Sequence, residues 1–334
     1  MEKFCSNKYF SIFVKTLIFF DLKTKIYVSV LFISIFFLEN LTYSQNFTRA
    51  NDWKKYRKEV ILQVGISQFL GDLGGLNGTG KDFSPADIEF RLTRPSVSIA
   101  YRYKFSKTFN IHSSFNYLLV KGDDNLTQEK SRNNRNLNFK SNIFELGTRA
   151  EFSFFRNKAG HRYGLKRTVM RRHKSKSDEF MAFIGVAAFY FNPKGKNPET
   201  GAWVKLQPLH TEGQGLPGGP PQYKRVGFVI PMGVCWRTII QKKWSIGLEL
   251  NYRKTFTDYI DDVSGVYYDK AALENAYGST SAILSDPNKG LIPGATNAGE
   301  QRGDIQKDTY MSAQITIGKF FAPKRSKSRL RSKF

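Results

Sequence analysis

The residues from which chemistry would have to be built are few: four histidines, two cysteines and some paired acids. His112, His161, His173 and His210 have no zinc-ligand spacing, and His161 and His173 sit inside Lys/Arg runs that repel a cation. Asp261-Asp262 would offer two carboxylates for acid–base work, but adjacent acids on an acidic loop read as turn and solvation chemistry. Gly71-Asp72-Leu73-Gly74-Gly75 and Gly78-Thr79-Gly80 would cradle a phosphate only ahead of a helix, and no helix pattern follows; they read as a flexible loop. Cys235 has no histidine partner, and no Ser/His/Asp set follows from spacing. The expectation is a chain that is not an enzyme and holds no cofactor or metal, unless loop residues converge in space.

The elements that would position such residues are strands. From Lys58 onward the chain breaks into segments of about ten residues with period-two alternation, the mark of a strand with two different faces. Their apolar rows begin with Val60, Leu62, Val64 and Ile66, then Val97 to Phe105, Phe109 to Leu119, and Phe144 to Phe154. A fifth segment, Phe180 to Asn192, is apolar on both faces; Val226 to Trp236, Trp244 to Tyr252 and Met311 to Phe321 complete eight. Pro231 falls in mid-strand and predicts a bulge. Alternation alone also fits a soluble sandwich or lipocalin-like barrel. Strand length, aromatics at strand ends (Tyr101, Tyr103, Phe105, Phe109, Trp236, Trp244) and an aromatic terminus favour an eight-stranded antiparallel outer-membrane β-barrel. Eight strands leave a lumen that side chains nearly fill, and Glu145, Arg149, Glu151, Glu249 and Arg253 are placed to pair inside it, as a plug rather than a pore.

The N-terminus supports export. Lys23 and Lys25 precede the apolar run Ile26 to Leu38, and Tyr43-Ser44-Gln45 follows it. A run of thirteen residues, eleven of them apolar, makes a helix of roughly 20 Å, short of a hydrocarbon core of about 30 Å, so residues 1–44 read as a signal peptide cleaved near Ser44. The long stretch ahead of Lys23 is unusual, and a misplaced start site would account for it. Residues 45–57 are then a periplasmic N-terminal segment, 58–321 the barrel and 322–334 a basic periplasmic tail. Removing the leader leaves Cys235 alone, so no internal disulfide forms.

Connections and charge give the barrel two unlike ends. Long connections at 71–94, 121–141, 193–224 and 257–308 alternate with short ones at 106–108 and 238–243, and an intermediate basic insert at 156–177; outer-membrane barrels alternate long outer loops with short periplasmic turns in this way. The net charge of +24 invites a nucleic-acid reading, but its distribution argues for no nucleic-acid partner. Beyond residue 44 there are 47 basic and 25 acidic residues, and 15 of that excess of 22 lies in the insert and the tail. Arg156, Lys158, Arg162, Lys166, Arg167, Arg171, Arg172, Lys174 and Lys176 of the insert, with Lys324, Arg325, Lys327, Arg329 and Arg331 of the tail, form a candidate docking surface. It faces either outer-membrane lipid headgroups or an acidic periplasmic partner. The longest loop, 257–308, is acidic instead.

Several phrases, in this order and spacing, carry a resemblance: Gly71-Asp72-Leu73-Gly74-Gly75, Phe189-Tyr190-Phe191-Asn192-Pro193-Lys194, Leu206-Gln207-Pro208-Leu209-His210-Thr211-Glu212-Gly213-Gln214-Gly215, Ile230-Pro231-Met232-Gly233 and Arg253-Lys254-Thr255-Phe256-Thr257-Asp258-Tyr259-Ile260-Asp261-Asp262-Val263-Ser264. From about Glu59 to Phe321 the chain resembles the PorG-like outer-membrane proteins of the type IX secretion system of Bacteroidota. The resemblance implies a non-enzymatic secretion component associated with a periplasmic ring, a PorK-like lipoprotein and a PorN-like protein, linked in some species to gliding motility. The extended N-terminus, the basic insert and the basic tail depart from the family pattern. The competing expectation is a small surface barrel of adhesin or resistance type, acting through its outer loops.

Overall fold

The computed structural model describes residues 54, 56–73, 90–127, 129–156, 177–240, 243–304 and 306–321. The expected signal peptide, most of the 45–57 segment, the insert from 157 to 176 and the tail lie outside these residues. Among the described residues there are ten strands: β1 Lys58–Leu70, β2 Arg94–Lys104, β3 Phe109–Asp123, β4 Asn138–Arg156, β5 Ser177–Tyr190, β6 Pro193–Lys196, β7 Trp203–Lys205, β8 Val226–Ile240, β9 Trp244–Thr255 and β10 Thr309–Phe321. Eight of them, in the order β1-β2-β3-β4-β5-β8-β9-β10, close on themselves by antiparallel pairing. The short β6 and β7 form a side sheet beside β4. Among the described residues no helix is long and apolar enough to cross a membrane.

The register fixes the barrel's shape. Partners traced from Lys58 run through Tyr103, Ile111, Ala150, Ile184, Met232, Tyr252 and Met311 and return to β1 at Gln68, ten residues further on. Such a stagger tilts the strands by roughly 35–45° and leaves a lumen that side chains occupy. Gly65 permits the closure between β1 and β10, since a Cβ there would lie 2.0 Å from the Ala313 carbonyl oxygen.

Each strand sorts its side chains by parity. In β1, Val60, Leu62, Val64 and Ile66 point out, while Glu59, Ile61, Gln63 and Ser67 are buried in the lumen. The same inversion of a water-soluble pattern runs round the barrel: Leu146 is 65% and Val186 68% exposed, whereas Arg102, Glu151 and Arg237 are buried. An exposed belt of aliphatic residues around a charged interior is stable only in lipid, where a closed barrel satisfies every backbone group. Aromatics rim the belt at the short-turn end, where Phe180 packs against Phe154, Phe155 and Trp236 and Lys319 lies over Trp244.

Two expectations need correction. Pro231 makes no bulge: β5 and β8 pair on either side of it in one register, from Ile184–Met232 to Ala187–Val229, and the missing N–H merely interrupts the ladder. The register shift lies instead between Ser153 and Phe155 of β4. The loop read as turn and solvation chemistry at Asp261-Asp262 is packed instead, with the described parts of the other long connections, while Gly74 to Gly80 of the expected flexible loop lie outside the described residues. The described parts carry helices α1 Lys130–Arg135, α2 Lys270–Tyr277 and α3 Ser279–Ser285, and fold together over one end of the barrel.

Candidate functional site: a stoppered lumen under a folded cap

The lower lumen, towards the short-turn end, is a continuous ionic network. Glu179 holds Arg237 at 2.7 Å, Arg237 reaches Glu59 at 2.6 Å, and Glu59 also takes Arg102 at 3.0 Å. Arg102 passes on to Glu151 at 2.5 Å, Glu151 to Arg149 at 3.1 Å, and Arg149 clasps both oxygens of Glu249 at 2.6 Å. Alternation dictates the inward placement, and the tight lumen makes burial unavoidable. Each charge is then compensated by partners on several strands, the condition under which buried ions are tolerated. The expected set Glu145, Arg149, Glu151, Glu249 and Arg253 is present, with Arg253 bonded to Glu145 at 2.8 Å. Sequence reasoning missed Glu59, Arg102, Glu179 and Arg237, although their inward parity was readable.

Above the ions the lumen turns apolar. Phe69, Leu118, Val120, Phe139, Ile143, Phe189 and Val229 from the strands meet Leu73, Leu137, Phe191, Leu206, Tyr223, Ile260, Val263 and Leu284 from the connections in one buried cluster. Phe69 meets Phe139 edge-on at 4.8 Å, and Tyr223 stacks on Tyr259 at 4.6 Å. This cluster occupies the upper lumen as a stopper.

The cap above it is tied by two arginines. Arg135 of α1 holds Asp124 at 2.7 Å and donates to the backbone oxygens of Asp72 (2.8 Å) and Arg302 (2.6 Å). Arg302 in turn binds Glu212 at 2.8 Å and the Asp262 carbonyl at 2.7 Å. These contacts join all four long connections. Asp261 and Asp262, expected as a solvated turn, are instead buried, and Asp262 accepts from Thr211 at 2.6 Å and from the Tyr223 hydroxyl. Gly71-Asp72-Leu73 belongs to the cap as well: Leu73 is in the stopper and Asp72 accepts from the Asp304 amide at 2.8 Å.

Burial sets the acids' behaviour. Asp72 and Glu212 are each pushed up to about 7 by desolvation, against the opposing pull of Arg135 on the first and Arg302 on the second. Asp261 is raised well above its ordinary value by burial and by repulsion from Asp308 and Asp72, and Asp308 by burial and by repulsion from Asp72 and Asp258. One Asp261 oxygen has no hydrogen-bond donor. Among the described residues no three His, Cys, Asp or Glu side chains converge to hold a metal.

The remaining residues singled out from the sequence scatter. His112 is buried in the ionic lumen, 3.4 Å from Arg149, and His210 stacks on Tyr277 in the cap. Cys235 is buried against Met181 and Phe183. His161 and His173 lie outside the described residues. So do all the docking candidates (Lys158, Arg162, Lys166, Arg167, Arg171, Arg172, Lys174, Lys176, Lys324, Arg325, Lys327, Arg329, Arg331) save the backbone of Arg156. Strand direction still fixes where their connections depart: the ends of β4 and β10 and the start of β1 share the short-turn end, opposite the cap.

Residues 38–169 match the model of a family described as a domain of unknown function, DUF6089. No curated protein matches the chain. Among solved structures the chain is similar to Neisserial surface protein A, at 5% identity over 79% of this chain and 97% of that one, with a TM-score of 0.34. It is similar also to a major outer membrane protein from Thermus thermophilus (8%, 79% and 99%, TM-score 0.34). A third is Ail, the attachment invasion locus protein of Yersinia pestis (10%, 79% and 99%, TM-score 0.30). The assignment as an eight-stranded membrane barrel rests on this chain's own strand pairing and apolar belt. A closed barrel of this size with an aromatic rim, a short-turn end and a long-loop end is of the outer-membrane type.

Proposed function

We propose that the protein is a non-enzymatic component of the type IX secretion system, anchoring periplasmic ring proteins at the outer membrane through its basic end. Sidedness carries the reading. An apolar cluster stoppers the lumen, so transport through it is disfavoured, and the strand ends from which the basic insert and tail depart lie opposite the cap. A dense positive surface at one end suits an acidic soluble partner held close to a membrane. The resemblance of Gly71–Gly75, Leu206–Gly215 and Arg253–Ser264 to PorG-like proteins names that partner as a PorK-like lipoprotein with its PorN-like protein.

Crosslinking of intact membranes followed by capture of the full-length protein tests this. Ring proteins should be recovered with the native chain and lost when the insert and tail Lys/Arg are changed to Gln. Recovery that ignores those changes, or material free of ring proteins, would overturn it. Orientation is tested with Glu274→Cys, on exposed α2, since the native Cys235 is buried. An impermeant maleimide should label it on intact cells.

A second reading has one observation in its favour: the described parts of the four long connections are tied together into one cap. A surface barrel of adhesin or resistance type would use such a cap as its binding face. Ring-free material whose surface binding is lost with cap substitutions would decide for it.

A further inference from the structure

The barrel wall does not stop at the belt. Tyr117, Phe144 and Tyr190 are direct cross-strand partners in an outward aromatic row, and Tyr117 packs on Phe144 at 5.1 Å. Four residues beyond that row, β3 and β4 continue and β6 and β7 widen the sheet. There the register sets Lys121 opposite Lys140, Lys140 opposite Lys194, and Lys194 opposite Lys205. Directly opposed residues share a face, with Cβ atoms about 4.5–5.5 Å apart. The face is the outer one, because Lys140 keeps step with Phe144 and Leu146, both exposed on the belt.

Like charges set opposite one another destabilise a sheet. A row of four therefore calls for counter-charge, and the chain supplies little. Asp123 pairs with Lys121 at 3.1 Å. Lys140 lies over the Trp203 ring, 4.0 Å from its centroid. Among the described residues no acid forms an ion pair with Lys140, Lys194 or Lys205. Arg225, over the Tyr190 ring at 5.6 Å, adds a further cation beside the row.

Height identifies the missing anion. Four residues at about 3.4 Å each, along strands tilted by roughly 35–45°, raise the row about 10 Å above the aromatics. Aromatic rims sit at the edge of the hydrocarbon core, and headgroups widen the bilayer from about 30 Å to about 40–45 Å. Flexible lysine side chains on this row reach the phosphate level. We propose that Lys121, Lys140, Lys194 and Lys205 form a binding row for the phosphate headgroups of lipids in the leaflet on the cap side, with Trp203 as its interfacial anchor.

The test uses the full-length protein in zwitterionic detergent micelles and fluorescent lipid A as probe. The quadruple variant K121Q/K140Q/K194Q/K205Q should bind at least about tenfold more weakly, whereas K107Q/K243Q, at the opposite end, should bind as the native chain does. If the quadruple variant gives no heat-modifiable barrel, K140Q/K194Q decides, with an expected loss of about threefold. Unchanged affinity in the deciding variant overturns the proposal. So does equal competition by inorganic phosphate, which would make the row a soluble-anion site. Lysine-dependent capture of an acidic protein with no lipid binding would make it a protein interface instead.

Discussion

Arg302 binds Glu212 at 2.8 Å across the top of the barrel, and both side chains are only 2% exposed. The pair joins the β5–β8 connection to the β9–β10 connection, and the Arg302 carbonyl extends the tie to Arg135 on the β3–β4 connection. Removal of one partner strands a buried charge, which costs about 3–5 kcal/mol, more than the pair itself contributes. Arg302→Gln should therefore open the cap to protease while the barrel keeps its heat-modifiable migration. Equal protease resistance in native and variant protein would show that the cap does not depend on this tie.

The buried acids give the cap a pH dependence of definite sign. Asp72 and Glu212 are raised to about 7, and Asp261 and Asp308 are raised well above their ordinary value. An acid whose folded value lies above its unfolded one binds its proton more tightly when folded. Its stabilisation is complete below about pH 4 and is lost as the pH rises through about 7, by up to about 1.4 kcal/mol per pH unit for each group. Limited proteolysis of the cap should be slower at pH 5 than at pH 8. Asp261→Asn should flatten that difference.

Arg149 carries the middle of the ionic lumen, binding Glu249 through two nitrogens and touching Glu151. Arg149→Ala should lower stability by about 3–5 kcal/mol, read as a lower temperature for the shift in gel mobility. Arg149→Lys should recover only part, since an ammonium cannot make the two-pronged contact.

The stopper predicts electrical silence. Purified protein in a planar bilayer should show no steady conductance, because the apolar cluster fills the lumen beneath the cap. Stable channel events in the native protein would mean that the plug moves.

Gly65→Ala should impair closure between β1 and β10, where the added Cβ would meet the Ala313 carbonyl at 2.0 Å. A cost of about 1–3 kcal/mol follows from overpacking. The yield of heat-modifiable barrel measures it.

The barrel was legible in the sequence because its information is local. Parity within one strand says that Val60 faces lipid and Glu59 the lumen, and turn lengths say which ends meet. The eight strands and the inward set Glu145, Arg149, Glu151, Glu249 and Arg253 follow from that, whereas which of them pair, Glu145 with Arg253 and Arg149 with Glu249, needed the closed barrel. The cap was not legible, because its information is not local. Asp262 looks like a turn acid until Thr211 and Tyr223, far away in sequence, arrive to donate to it. Asp261 and Leu73 looked like loop residues for the same reason, and α1, at six residues, is too short to show a helical period. Proline at 231 signalled an irregularity, but period and composition give no means of telling an interrupted ladder from a shifted one.

The lysine row stands apart from both cases, since it needed the register. Each lysine alone is an ordinary strand-end residue, and only cross-strand pairing puts the four in line.

The ties of Arg135 to Asp72 and Arg302, and of Arg302 to Glu212, join connections that are far apart in the sequence. Arg135, Arg302, Glu212 and Asp72 are brought to one spot only when β1 meets β10 and β3 meets β4. Contacts of such long sequence separation form late. The cap is therefore completed only once the wall beneath it has closed. Once assembled, it is a knot tied across one end of the barrel, and no single connection can leave that end without undoing it.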